Sequence, residues 1–217
     1  MDQSTHNKIV SFIWSIADDV LRDLFKRGKY PDVILPMCVL RRLDAVLEPT
    51  KPAVLETKQF LDANAITEQH PALCKAANQA FYNTSKFTLR DLKSRANQQQ
   101  LLADFEDYLN GFSANVQEII ENFKFRNQLP TLSKSDSLGT LIAKFLDPEI
   151  DLTPAGIDNH SMGTVFEELV RKFNEENPSK PFPKSPPPTT TSSPASTNPS
   201  PANSPTPNVI IRQPDEL

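Results

Sequence analysis

Residues 8–51 read KIVSFIWSIADDVLRDLFKRGKYPDVILPMCVLRRLDAVLEPTK. Ile9, Phe12, Ile13, Ile16, Val20, Leu21 and Leu24 recur in steps of three and four, the stripe of an amphipathic helix. Thr5 or Asn7 can cap its start. Lys26, Arg27 and Gly28 close it, with cations near the negative end of the helix and glycine just after. Pro31 suits the start of a second helix, because the first turn has no amide bond to lose. Pro36 makes that helix either begin nearby or kink. From there Met37, Leu40, Leu43, Val46 and Leu47 continue the stripe until Pro49 ends it.

The same period runs outward along the chain. Short helices are expected over 52–63 and 71–82. Phe87, Leu89 and Leu92 mark a short ordered element in FTLRDLKSR. Leu101, Leu102, Phe105, Tyr108 and Leu109 make a helix that Gly111 stops. Val116, Ile119, Ile120 and Phe123 make another, and Leu138, Leu141, Ile142, Phe145 and Leu146 a further one. Met162, Val165, Phe166, Leu169, Val170 and Phe173 form the last stripe, capped by Ser161. No segment alternates with the period of two that a half-buried strand requires. Residues 1–177 therefore read as one all-α, multi-helix bundle, long enough to bury a core.

Beyond it lies a different kind of sequence. Of 20 prolines in 217 residues, 12 fall within 178–217, among Ser and Thr and only seven hydrophobic residues. Such a stretch cannot bury enough apolar surface to offset the entropy of ordering, so 178–217 reads as a disordered, low-complexity tail.

Composition narrows the function. The formal net charge is −4, so any DNA contact must use a local basic face and not bulk charge. No apolar run is long enough to span a membrane, and the first residues lack a secretory pattern. Two cysteines make no disulfide framework, and a reduced, cytoplasmic setting is expected. The five glycines, at 28, 111, 139, 156 and 163, are scattered. A phosphate- or cofactor-cradling loop needs clustered glycine for close backbone approach, so no cofactor is expected to bind these residues.

Most of the chemistry-bearing residues have an ordinary structural reading. Cys38 sits in the apolar run LPMCVLRR and reads as a buried structural thiol, as does Cys74. His6, His70 and His160 read as isolated, so no zinc site is expected. The pairs Asp18-Asp19 and Glu167-Glu168 point in different directions on a helix and read as solvated faces. Ser185-Pro186-Pro187-Pro188 lacks the aromatic residue that stacks on a flipped base. Two basic clusters remain. Arg41 is placed to pair with Asp44 one turn on, leaving Arg42 for a phosphate or a partner carboxylate. Lys93 and Arg95, with Arg90 nearby, are placed to meet a DNA backbone. Arg41, Arg42, Lys93 and Arg95 are the candidate contacts; no catalytic, cofactor-binding or metal-ligating residue is assigned.

Three stretches together resemble the N-terminal region of the modification (M) subunit of type I restriction-modification systems, an adenine-specific DNA methyltransferase. The first is residues 8–51, similar to the family's opening helix and the following "ilP…vLrRLD" helix. The second is Phe87 to Arg95. The third is IDNHSMGTVFEELVRKFNEEN, residues 157–177, similar to the family's helix leading toward the catalytic domain. The resemblance implies a helical domain that touches the specificity (S) subunit, a second M subunit and the restriction (R) subunit, and that helps close the complex around double-stranded DNA. In the complete family enzyme a following domain binds S-adenosylmethionine and methylates adenine N6.

The likeness stops at about Asn177, where the family continues toward its cofactor loop and this chain enters the tail. The reading is therefore of a shortened M subunit, not catalytic alone. The alternatives are a non-enzymatic protein binding S, R or M subunits, with the tail recruiting a further partner, and an inert fragment of a decayed gene.

Overall fold

The structure is a computed structural model that describes residues 3–95, 97–149 and 151–176. The expected tail, 178–217, lies outside the described residues. Among the described residues there are ten α-helices and no strand, as the period of the apolar residues requires. The helices are α1 (Gln3–Leu21), α2 (Pro31–Leu47), α3 (Lys51–Ala63), α4 (His70–Ala77), α5 (Leu89–Lys93), α6 (Gln98–Asn110), α7 (Ala114–Asn122), α8 (Leu129–Lys134), α9 (Ser137–Phe145) and α10 (Asn159–Glu176).

The first stripe becomes α1, with Ile13, Ile16, Ala17 and Leu21 fully buried. The helix stops at Leu21, before the basic residues expected to close it. Leu24 and Phe25 still pack on the core, in a turn that leads into a short 3-10 segment, Arg27–Lys29. Gly28 lies inside that segment, and no described glycine has positive φ. The left-handed positions fall instead to Ala65, Asn78, Lys124 and Asp136. Asn78, at φ 51°, ends α4 at Ala77, short of the expected limit near residue 82.

Pro31 occupies the first turn of α2, and Pro36 is accommodated inside the helix. Almost the whole span Val33–Cys38 is fully buried, so tertiary packing outweighs the backbone bond that Pro36 removes. α5 carries a capping box: the Thr88 hydroxyl accepts from the Asp91 amide, and the Asp91 carboxylate accepts from Thr88 N at 2.8 Å. The 3-10 segment Phe125–Gln128 and α8 were not anticipated. Lys124, at φ 56°, redirects the chain there, and no glycine marks the bend.

The core is one continuous cluster. An aromatic run fills its middle. Phe105 meets Phe125 edge-on at 6.0 Å, and Tyr108 meets Phe112 edge-on at 5.2 Å. Offset and edge-on pairs of this kind add about 0.5–1.5 kcal/mol to the burial itself. α6 ends against Gly111, as expected, but for a reason of space. A Cβ there would lie 2.4 Å from Ser85 N, because the loop carrying Asn83 and Ser85 presses against it. The backbone bridge between Asn83 and Phe112 records the same close approach.

α10 packs across α1 and α2. Val165, Leu169 and Phe173 are buried, and the Phe173 ring lies 4.9 Å from that of Trp14. Its cap is Asp158, three residues before the expected Ser161. Asp158 accepts from Ser161 N at 2.9 Å and from Ser161 Oγ at 2.7 Å. These bonds hold its carboxyl down at about 2.

Candidate functional site

The expected basic residues of α2 point inward. Arg42 is buried. Its guanidinium donates to the carbonyl oxygens of Leu152 at 3.1 Å and Ile157 at 2.7 Å, and to Asn159 Oδ1 at 2.6 Å. The planar fork of Arg suits several fixed acceptors at once. Burial lowers its pKa from the usual arginine value, against the attraction of Asp158 and Asp151. Arg42 thus joins α2 to the irregular segment before α10, and is not the free side chain that the sequence pattern implied. Asp151, which helps attract it, is itself held below the usual carboxylate range by hydrogen bonds from Thr153.

Arg41 and Asp44 do not pair in the expected way. Arg41 Nε donates to the Phe145 carbonyl at 3.2 Å, placing a cation on the open C-terminal end of α9. Asp44 accepts from Leu89 N at 3.3 Å and from Tyr108 Oη at 3.1 Å. Burial raises its carboxyl above the usual range, opposed by both bonds. Burial also pushes the Tyr108 hydroxyl well up, with Asp44 adding to the effect. Close by, Lys51 Nζ donates to Asn83 Oδ1 at 3.1 Å. Burial pulls its ammonium down to about 8, despite nearby Asp44, Asp91 and Asp107.

The second cluster faces outward. Lys93 on α5 is exposed and joins none of the ion pairs among the described residues. Arg90 reaches Glu48 at 3.3 Å. Arg95 Nε meets Asp104 at 2.8 Å, and its guanidinium lies 5.2 Å from the Phe87 ring centre. Lys86 Nζ lies 4.9 Å from the same ring. Lys86, Arg90, Lys93 and Arg95 therefore gather around one short helix. Arg41 and Arg42, by contrast, are spent inside the fold.

The remaining candidates divide cleanly. Cys38 is fully buried, and burial raises its thiol pKa far above the usual value. Asp18 and Asp19 face different partners, Arg27 at 4.0 Å and Lys144 at 3.4 Å. Glu168 pairs with Arg171 at 2.5 Å. Cys74 departs from the expectation of a buried thiol, and His70 from that of isolation. One turn apart on α4, they bring Sγ within 3.6 Å of Nε2 and 3.9 Å of Nδ1. Spacing of i and i+4 on a helix was the signal that could have found this contact.

The fold and these clusters define a helical bundle whose buried polar groups tie neighbouring segments together, with one exposed basic helix. Residues 9–145 match the family model of the HsdM N-terminal domain. The chain belongs to that family, the helical N-terminal part of the type I restriction-modification M subunit. The match ends with α9; the third quoted stretch, 157–177, lies beyond it. No curated protein and no solved structure matches the chain.

Proposed function

We propose that residues 3–176 form the assembly domain of a type I modification subunit. The observation that carries this reading is the family match across residues 9–145. Its partners are the S subunit, a second M subunit and the R subunit, and within that complex the domain lies against double-stranded DNA in the cytoplasm. The exposed basic side chains around α5, Lys93 and Arg95 first, supply backbone contacts to DNA or an acidic face of the S subunit. Arg41 and Arg42 act behind them, by fixing α9 and the start of α10.

Methyl transfer from S-adenosylmethionine to adenine N6 requires a base-flipping pocket and a positioned donor. Neither is assigned to residues 3–176, whose role is assembly and DNA clamping. Co-purification of the full chain with an S subunit tests the assembly role. Retention through a salt wash supports it, and absence of any complex overturns it. Incubation of the chain alone with DNA and methyl-labelled donor tests the division of labour. No label should enter adenine; incorporation above background would refute it.

A further inference from the structure

The basic helix α5 has only five residues. Isolated helices shorter than about 12–15 residues are marginal in water, so its place in the fold comes from its contacts. Leu89 and Leu92, one turn apart, are fully buried. Arg90 and Lys93, each one residue further on, are exposed. The seating of the apolar side therefore decides where the cations point. The capping box of Thr88 and Asp91 closes on itself, and so sets the shape of the first turn without fixing its position.

The backbone of α5 has a polar tether to α2. Leu89 N donates to Asp44 Oδ1 at 3.3 Å. The same oxygen accepts from Tyr108 Oη at 3.1 Å. Tyr108 lies on α6, is buried, and meets Phe112 edge-on, so it offers its hydroxyl from a fixed ring. One carboxylate oxygen of α2 thus joins α5 to α6. Because both bonds end on Oδ1, a single carbonyl oxygen at this position can do the same work, and the charge is not required.

We propose that Asp44 is the positioning residue of the basic helix: through the Leu89 amide it sets the direction in which α5 presents Lys93 to the DNA backbone. The proposal rests on the reading of α5 as a DNA contact. Asp44 itself touches no DNA and acts only through α5.

Two measurements test it, both at a temperature where every variant is folded. Amide hydrogen exchange of the full chain reads the tether, and titration of duplex DNA against the chain in complex with an S subunit reads the contact. In D44A the Leu89 amide should exchange about two- to tenfold faster, the worth of one hydrogen bond. Its DNA affinity should fall several-fold. D44N keeps an oxygen at Oδ1, so both quantities should return close to wild type. K93A should weaken DNA binding and leave Leu89 exchange unchanged. The double variant D44A/K93A should lose less than the sum of the two single losses, because a misplaced helix has already withdrawn Lys93. Wild-type protection of Leu89 in D44A would overturn the proposal. So would a D44N as impaired as D44A, or losses that add in the double variant. If K93A weakens binding and D44A does not, the positioning role alone fails. If K93A binds DNA as tightly as wild type, α5 is no DNA contact, and the positioning role falls with that reading.

Discussion

The guanidinium of Arg42 lies 2.7 Å from the carbonyl oxygen of Ile157, more than a hundred residues along the chain. Two other bonds from the same side chain reach Leu152 and Asn159. One buried cation thereby satisfies acceptors in a loop that has no regular structure of its own, where each unpaired carbonyl would cost about 1–3 kcal/mol. Arg42→Met should lower the unfolding free energy by about 3 kcal/mol. Urea denaturation measures it. Hydrogen exchange should show the loss of protection concentrated in 151–165. A uniform change, or a loss under about 0.5 kcal/mol, contradicts the role given to this residue.

Two glycines should respond in opposite directions. Gly111→Ala places a Cβ 2.4 Å from the Ser85 amide nitrogen, so backbone must move. A destabilisation of about 1–3 kcal/mol is expected from such overpacking. A Cβ at Gly163, inside α10, meets nothing within 4 Å. There alanine should stabilise by up to about 1 kcal/mol, the difference in helix propensity. Melting temperatures of the two variants check both signs.

Lys51 predicts a pH dependence. Its folded pKa, about 8, lies below the value of an unfolded lysine. Below pH 8 the folded state carries a desolvated charge, and its cost is present in full. Between pH 8 and about 10 the unfolded chain binds more protons than the folded one at this group, so its contribution to stability rises with pH. The stability of the wild type minus that of Lys51→Met should therefore increase from pH 7 to 10. Tyr108 titrates in both proteins and largely cancels in that difference. A flat difference would show that Lys51 keeps an ordinary ammonium.

DNA binding by the assembled complex should separate the basic residues. Lys93→Ala should reduce the slope of log affinity against log salt by roughly one unit, because each phosphate contact releases counterions. Arg95→Ala should do the same, but it also strips buried Asp104 of its 2.8 Å partner and lowers the melting temperature. Lys93→Ala leaves the melting temperature unchanged. An unaltered slope in both variants returns α5 to ordinary surface.

Elements with long apolar stripes were legible. Residues 9–21, 98–110, 137–145 and 159–176 show the helical period plainly, and the Gly111 stop was legible too. The bends were less so. Lys124 and Asp136 adopt positive φ without glycine, because the packing of Phe125 and Leu138 on either side of α8 outweighs the local cost. Charge patterns misled most. Arg42 looks like a surface cation because its acceptors are backbone carbonyls, which leave no trace in composition. Its neighbour Arg41 finds a helix end in the same way, on the Phe145 carbonyl. Cys74 and His70 look isolated in composition, although one helical turn separates them.

α10 is about 27 Å long at the usual rise per residue. It is pinned near both ends. Asn159 is held by Arg42, and Glu176 by Arg27 at 2.6 Å. Between those pins its apolar side lies along α1 and α2, with Phe173 against Trp14. A rod fixed at one point can swivel, whereas a rod fixed at two can only turn with its mounting. α10 is thus seated on α1 and α2 along its length and tethered near each end, so its position is set by theirs.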